Sequence, residues 1–441
     1  MKKLIILSVA LLTLSMSSCK KYLEIEPVGK VLPTTVEDFR ALMTSAYVTF
    51  PKHKALLALR TDELAVDEWG YDYPTIKDIY TWKDANQDGL SVPYPYITFY
   101  TSIFYANQVI AEVEAKAGIS PETAQLKAEA YLLRAYAHFE LLNLYAKPYN
   151  KATAAADKGV PIATTIDIEQ KFPQATVEEV YTQIFSDLAN GQQLLKIDKW
   201  ESGKNYRFGK RAALALSARI YEFRGEWDKA LTASQATLAL NADLEDLNIA
   251  GSGLPNNYQS KENIMALEDV MDSRTSNASF ISPHLLSIYN QNDDLRFAKY
   301  FSKSGANYVS VKGNSNALKI TFRNGEMYLI AAEAALHKGD KDLALSRLLA
   351  LKAKRLTPVY YQSEETRISV LSETDLMNEI LAERERELAL EGHRWYDLRR
   401  YGQPEIKHTT GGTDYILQKN DPRYTIRFPQ GAITNNPDLS Q

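Results

Sequence analysis

Helical periodicity dominates the pattern of apolar and polar positions, and it begins with recognisable helix-start chemistry. Thr34 with Glu37 reads as a capping box ahead of Phe39, Leu42 and Met43. Thr176 with Glu179 repeats the device ahead of Val180, Ile184 and Leu188. Ser120-Pro121-Glu122 opens another helix, with proline in the first turn where its missing N–H costs nothing. From Ala124 to Tyr145 apolar residues fall on nearly every face, which predicts a helix surrounded by other helices. Strand-like alternation is scarce: a short extended pair is expected within Tyr415–Phe428 and a brief strand at Ala317–Phe322. The fold class is therefore mostly α.

Two segments share a finer pattern. Gly225 is followed five residues on by Ala230, and Gly339 by Ala344, each glycine lying between two helical runs. Glycine supplies a left-handed cap and a small alanine lets two antiparallel helices approach closely. The pattern resembles the tetratricopeptide helix pair, although the two glycines are too far apart for uninterrupted repeats of 34 residues. An irregular tetratricopeptide-type helical scaffold is expected, within about 120–245 and 322–402. A loop-rich insertion spans about 241–316 and carries turn chemistry at Gly251-Ser252-Gly253, Leu254-Pro255-Asn256-Asn257 and Lys312-Gly313-Asn314. Long irregular segments on a rigid scaffold commonly carry function.

Composition adds little and the N-terminus adds much. Of 441 residues 45% are hydrophobic and 24% charged, which is ordinary globular usage. Lys plus Arg is 51 against 55 Asp plus Glu, without a basic block, so no nucleic-acid partner is expected. Lys2 and Lys3 precede the apolar run Leu4–Leu14, too short to span a bilayer but suited to a signal-peptide core, and Ser17-Ser18 lead into Cys19, the only cysteine. Residues 1–18 are thus read as a lipoprotein signal peptide, Cys19 as the acylated residue, 19–30 as a tether and 31–441 as one domain. Met16, where such signals usually carry leucine, is a mild departure. Several acyl chains would anchor an otherwise soluble domain to a membrane.

The run Ile380–Gly402, ILAERERELALEGHRWYDLRRYG, resembles the hallmark of the SusD/RagB family of outer-membrane nutrient-binding lipoproteins. CKKYLEIEP from Cys19 is similar to that family's mature N-terminus, and FRNGEMYLIAAEA from Phe322 to its last tetratricopeptide helix. Tyr100–Ile110 with Asn107, and Ser287–Arg296 with Asp293-Asp294, fit in the same order along the chain. In the run itself, Leu376, Ile380, Arg384 and Leu388 share one helical stripe, which sets an arginine in an apolar face. Pairing at three-residue spacing, Glu383 with Arg386 and Arg384 with Glu387, and packing of Trp395 below, would satisfy it. Glu383, Arg384, Glu387, Arg394 and Asp397 are therefore read as a structural ion network, as are Arg323, Glu326 and Glu333, because buried charges must be paired.

Catalytic constellations are missing: no phosphate loop, nucleophile elbow or H-E-x-x-H string occurs, and the six histidines are scattered singly. The resemblance implies binding rather than catalysis. It implies a lid on a SusC-type TonB-dependent β-barrel transporter at the outer leaflet of a Gram-negative outer membrane, capturing an oligosaccharide or other nutrient. A tetratricopeptide scaffold that holds a peptide, and a surface hydrolase, remain as other readings.

A sugar presents flat C–H faces and a rim of hydroxyls, so its site wants aromatic platforms beside polar side chains. DELAVDEWGYDY, Asp62–Tyr73, offers Trp69, Tyr71 and Tyr73 with Asp62, Asp67 and Asp72. Trp82 with Asp84, Asn86 and Asp88 offers a second set. By resemblance, the insertion supplies the rest, here Arg274, Asn277, Tyr300 and Tyr308. Asp84, Asn86 and Asp88 also match the opening of a calcium loop, but position twelve falls on Pro95 instead of the bidentate glutamate. No cofactor or metal is expected, calcium at those three residues being the one candidate.

Overall fold

The computed structural model describes residues 33–167 and 172–439, so Cys19, the tether and the N-terminal motif lie outside the described residues. The first described helix, Val36–Thr49, starts one residue later than expected. Its N-cap is Thr35, whose hydroxyl accepts from Asp38 N–H while the Asp38 carboxylate accepts from Thr35 N–H. Asp38 thus takes the place foreseen for Glu37, since a short acid closes the box as well as a long one when the register allows it. Thr176 and Glu179 close their box as read from sequence, and Ser120 caps Pro121–Tyr145. Nearly every residue of that helix from Leu126 onward is buried.

Pro121–Tyr145 is central because helices cover it on both sides: Ile97–Ala117 packs on one and Val177–Leu194 on another. Lys210–Arg224 pairs with Trp227–Leu240, which packs in turn on Asn324–His337. That helix pairs with Lys341–Lys352 and is backed by Glu373–Glu387. Both hairpin glycines take the left-handed backbone, Gly225 at φ 69° and Gly339 at φ 77°, and Ala230 and Ala344 are fully buried beneath them. Trp227 stacks on His337 with ring centroids 3.9 Å apart, joining two successive pairs. One contiguous apolar cluster runs from Phe39 to Leu439.

Strands among the described residues occur only as two-stranded antiparallel pairs. The extended pair expected within Tyr415–Phe428 lies earlier: Ile406–Thr410 pairs with Thr413–Leu417 in the register Thr410↔Thr413 to Ile406↔Leu417. Gly411 and Gly412, at φ 58° and 68°, form the tight turn that matches the twist of two strands. The strand expected over Ala317–Phe322 begins only at its last residue: Leu318 and Lys319 form isolated bridges to Asn257 and Asp269, and the strand proper is Phe322–Arg323 against Asn263–Met265.

Charge holds the helices together where side chains would otherwise be apolar. Glu387 receives Arg296 at 3.0 Å and Arg355 at 2.8 Å, and Arg323 reaches both it and Glu391. Burial alone would raise the Glu387 carboxyl, but the guanidiniums of Arg355 and Arg323 outweigh it and hold it well below the usual carboxylate range. Gly325 gives this pair its room: a Cβ would sit 2.3 Å from Arg323 Nη1 and 2.6 Å from Glu387 Oε1, so any side chain there must displace them. Glu383 pairs with Arg386 as expected. Arg384 departs from its expected partner Glu387 and instead meets Glu222 at 2.9 Å and Asp397 at 3.1 Å, because its stripe faces the neighbouring pair rather than its own turn. Arg394 lies outside this network, partly exposed, bound to Asp62 and Glu385. Arg219–Glu326 and Arg400–Glu333 complete the structural reading.

Candidate functional site

Two segments more than two hundred residues apart meet in a short antiparallel pair, Leu64–Val66 with Ser279–Ile281, in the register Leu64↔Ile281 to Val66↔Ser279. The ladder continues as Asp67 N–H donates to Ala278 O at 2.8 Å. There the chain turns. The Asp67 carboxylate accepts from Trp69 N–H at 3.1 Å, and Gly70 N–H donates to Asp67 O at 3.0 Å. A Cβ on Gly70 would lie 2.6 Å from Asn277 O and 2.7 Å from Ala278 Cα, so only glycine lets the turn sit this close. The turn carries Trp69 and Tyr71, 96% and 92% exposed. Burial is the ordinary state of such large rings, so two exposed neighbours on a pinned turn set this turn apart from the rest of the surface.

Polar groups surround this tip. Asn277, which ends the short helix Ser273–Asn277, donates from its amide to Asp72 Oδ2 at 3.0 Å. Arg274 projects from the same helix, exposed. On another side the hairpin of Ile406–Thr410 and Thr413–Leu417 closes in: Tyr73 OH and Thr410 Oγ1 lie 2.6 Å apart, and Glu68 accepts from Thr410 Oγ1 at 3.1 Å and from Gly411 N–H. Trp69, Tyr71, Tyr73 and Asn277 are thus brought to one place from two parts of the chain, with Arg274 on the short helix that Asn277 ends. Tyr308 is next to it but half-buried; its strand Asn307–Ser310 packs on Ser279–Ile281, and its ring sits edge-on to Phe297 at 5.3 Å. Glu68, Thr410 and Gly411 were missed in the sequence. Gly411-Gly412 between alternating buried and exposed residues was the signal that could have found them.

The remaining expectations are corrected. Trp82 does not face water: it is 1% exposed, its Nε1–H donates to Arg60 O at 3.0 Å, and it stacks on His408 at 4.2 Å. Asp84 gives both oxygens to Arg60, at 2.6 and 3.0 Å. Asp88 accepts from Leu90 N–H, and its own N–H donates to Asp78 at 2.6 Å. The loop is therefore organised by the acceptors Asp78 and Asp84 meeting Lys83, Ser91 and Arg60, not by oxygens converging on an ion, and Asn86 stands exposed at φ 50°. Tyr300 is fully buried with Lys312 Nζ 4.1 Å above its ring, where it serves the ion network. Asp62 is held at both oxygens by Arg394, at 2.8 and 2.6 Å.

Asp62 also belongs to the one metal-competent set among the described residues, with His284 and Glu385 offering ligand atoms within 4.8 Å of one another. Arg394 already binds both carboxylates, and His284 Nε2 lies 2.6 Å from Glu385, whose bond raises the imidazole's pKa. A metal ion would have to displace a guanidinium, which disfavours the site.

No described helix is long and apolar enough to cross a membrane. Two family models match almost end to end. One, described as starch-binding and associating with the outer membrane, matches residues 21–221, and that of the SusD family matches residues 249–441. Two SusD-like proteins of Formosa agariphila are 22% and 24% identical, over 87% and 91% of this chain and 88% and 91% of theirs. A SusD superfamily protein from Bacteroides thetaiotaomicron superposes with a TM-score of 0.77 at 23% identity, covering 92% of this chain and 99% of its own. A SusD-like carbohydrate-binding protein from Bacteroides vulgatus gives 0.70 at 19%, covering 92% and 98%. A laminarin-binding SusD-like protein gives 0.62 at 18%, covering 83% and 92%.

Proposed function

The chain belongs to the SusD family, and from that premise we propose that it is a cell-surface lipoprotein that captures an oligosaccharide without cleaving it. The observation that carries the reading is the Trp69-Gly70-Tyr71 tip, with two fully exposed aromatic rings beside Asp72, Asn277 and Arg274. Flat rings take the C–H face of a sugar, while the amide, carboxylate and guanidinium take its hydroxyls. Because the tip is pinned by backbone contact at Gly70, the backbone that carries the rings is set before a ligand arrives, which lowers the cost of binding. The laminarin-binding neighbour supports a glycan as ligand class.

Lipidation at Cys19 would hold the protein on the outer membrane, where it acts as the lid of a SusC-type TonB-dependent barrel and passes its ligand inward by hinged closure. Affinity electrophoresis across a panel of polysaccharides tests the ligand: retardation by at least one of them, abolished in Trp69→Ala, is expected. Copurification with a large β-barrel under mild detergent tests the lid, and a solitary protein in native membranes would refute it.

A further inference from the structure

A cleft of about 990 Å³, apart from the tip, opens between the end of helix Pro121–Tyr145 with the loop after it and the segments that follow helix Arg394–Arg400. None of the tip residues line it. Its size suits a small ligand, for which roughly 300–1,000 Å³ is usual. Arg399 lines this cleft and is 4% exposed. It donates from Nη1 to Asn143 O and from Nη2 to Ala146 O, but its Nε has no hydrogen-bond partner among the described residues.

No carboxylate of the described residues lies within ion-pair distance of Arg399, whereas Arg394 and Arg400 on the same helix each hold two or more. Carbonyls at a helix C-terminus carry only about half a unit of negative charge, so they compensate a guanidinium in part. Burial draws the Arg399 pKa down to about 10, which leaves it charged at neutral pH. Arg211 also lacks an acid, yet it closes on oxygens of Asn241, Asn263 and Asn324 and does not line the cleft. A buried, uncompensated cation is costly unless something pairs with it.

The rim is built for polar contact. Gln403 and Asn420 both take left-handed backbone, at φ 43° and 58°, and Asn420 N–H donates to Gln403 O at 2.9 Å. Backbone strain of this kind gathers at ligand clamps, and both residues line the cleft. We propose that this cleft is a second binding site, selective for an acidic saccharide whose anionic group pairs with Arg399 while its hydroxyls meet Gln403 and Asn420.

The site is independent of the tip, so the test runs in the Trp69→Ala chain. Calorimetry with galacturonic-acid oligomers, sulfated galactan oligomers and neutral laminari-oligomers of equal length distinguishes carboxylate, sulfate and neither. Binding of at least one acidic series is expected, at least about tenfold tighter than the neutral series and weakening as salt is raised. Gln403→Ala with Asn420→Ala should lose about tenfold, and Arg399→Gln all measurable binding. Where Arg399→Gln fails to fold, the rim pair decides. Equal affinity for acidic and neutral oligomers, no acidic binding by the folded protein at millimolar ligand, or full acidic binding by the rim double variant would each overturn the proposal.

Discussion

Trp69 and Trp82 sit thirteen positions apart and should answer to opposite assays. A sugar ring stacked on one indole face takes roughly 100 Å² of apolar surface out of water, about half of what a whole aromatic side chain buries, and at about 25 cal/mol/Å² this is worth about 2.5 kcal/mol. Trp69→Ala should therefore weaken saccharide binding by roughly fiftyfold to a hundredfold. Its ring is 96% exposed in the free protein, so the melting temperature should hold, within the roughly 0.5 kcal/mol typical of surface changes. Trp82→Ala empties a fully packed site, breaks the bond to Arg60 O and unstacks His408, at about 3–5 kcal/mol of stability. Calorimetry against the saccharide that gives the strongest gel retardation, paired with urea unfolding, separates the two. Undiminished binding by folded Trp69→Ala, or a stable Trp82→Ala with selectively lost binding, would refute the assignment of platform and core.

Three further outcomes follow from single contacts. Gly70→Ala drives a methyl into Asn277 O and Ala278 Cα, so the tip must lift; affinity should fall about tenfold with a smaller change in stability, and unchanged affinity would show that the pinning is irrelevant. Gly325→Ala forces apart Arg323 and Glu387 and should cost about 3 kcal/mol or more by chemical denaturation; a loss below about 1 kcal/mol would mean that the network yields freely. Burial, with Asp62 nearby and against the bond from Leu390 N–H, raises the Glu63 carboxyl to about 8, so the folded chain keeps a proton that the unfolded chain loses above about 4.5, and this group's contribution to stability falls as pH rises from about 4.5 to 8. Glu63→Gln should therefore raise the melting temperature at pH 8 and leave it unchanged at pH 4, and an identical pH profile for the two proteins would exclude the protonated carboxyl.

The helical scaffold was legible because its signals are local. A cap, an apolar stripe and a left-handed glycine each fall within one or two turns, so Thr176, Gly225 and Gly339 carry their geometry wherever the fold places them. Asp38 for Glu37 is the kind of error that local reading makes, a choice between two acids one position apart. Partners were less legible. Arg384 has Glu387 three residues away and takes Glu222 and Asp397 instead, because helix packing and not helix spacing decides which acid a buried guanidinium meets. Exposure was the least legible property. Trp69 and Trp82 have similar sequence surroundings, each with acids close by, and only the tertiary pairing of Val66 with Ser279 and the hairpin bearing His408 sends one to water and the other under it.

The acids around the second tryptophan explain why it resembled a ligand loop. Asp84 neutralises Arg60, whose guanidinium is fully buried, lies 4.8 Å over the Trp395 ring and also donates to Arg423 O. Asp78 accepts from Asp88 N–H and Ser91 Oγ, fixing a turn that would otherwise leave donors unpaired. Oxygen-rich loops of this composition are demanded both by a cation from solvent and by a buried guanidinium, and the sequence alone does not distinguish the two. The distinction lies in who supplies the positive charge. Around Trp82 the protein supplies it, and the loop is complete. At Arg399 the positive charge is the protein's and no acid answers it, which is why that cleft, and not the loop that looks like a calcium site, is where an outside ion-pair partner belongs.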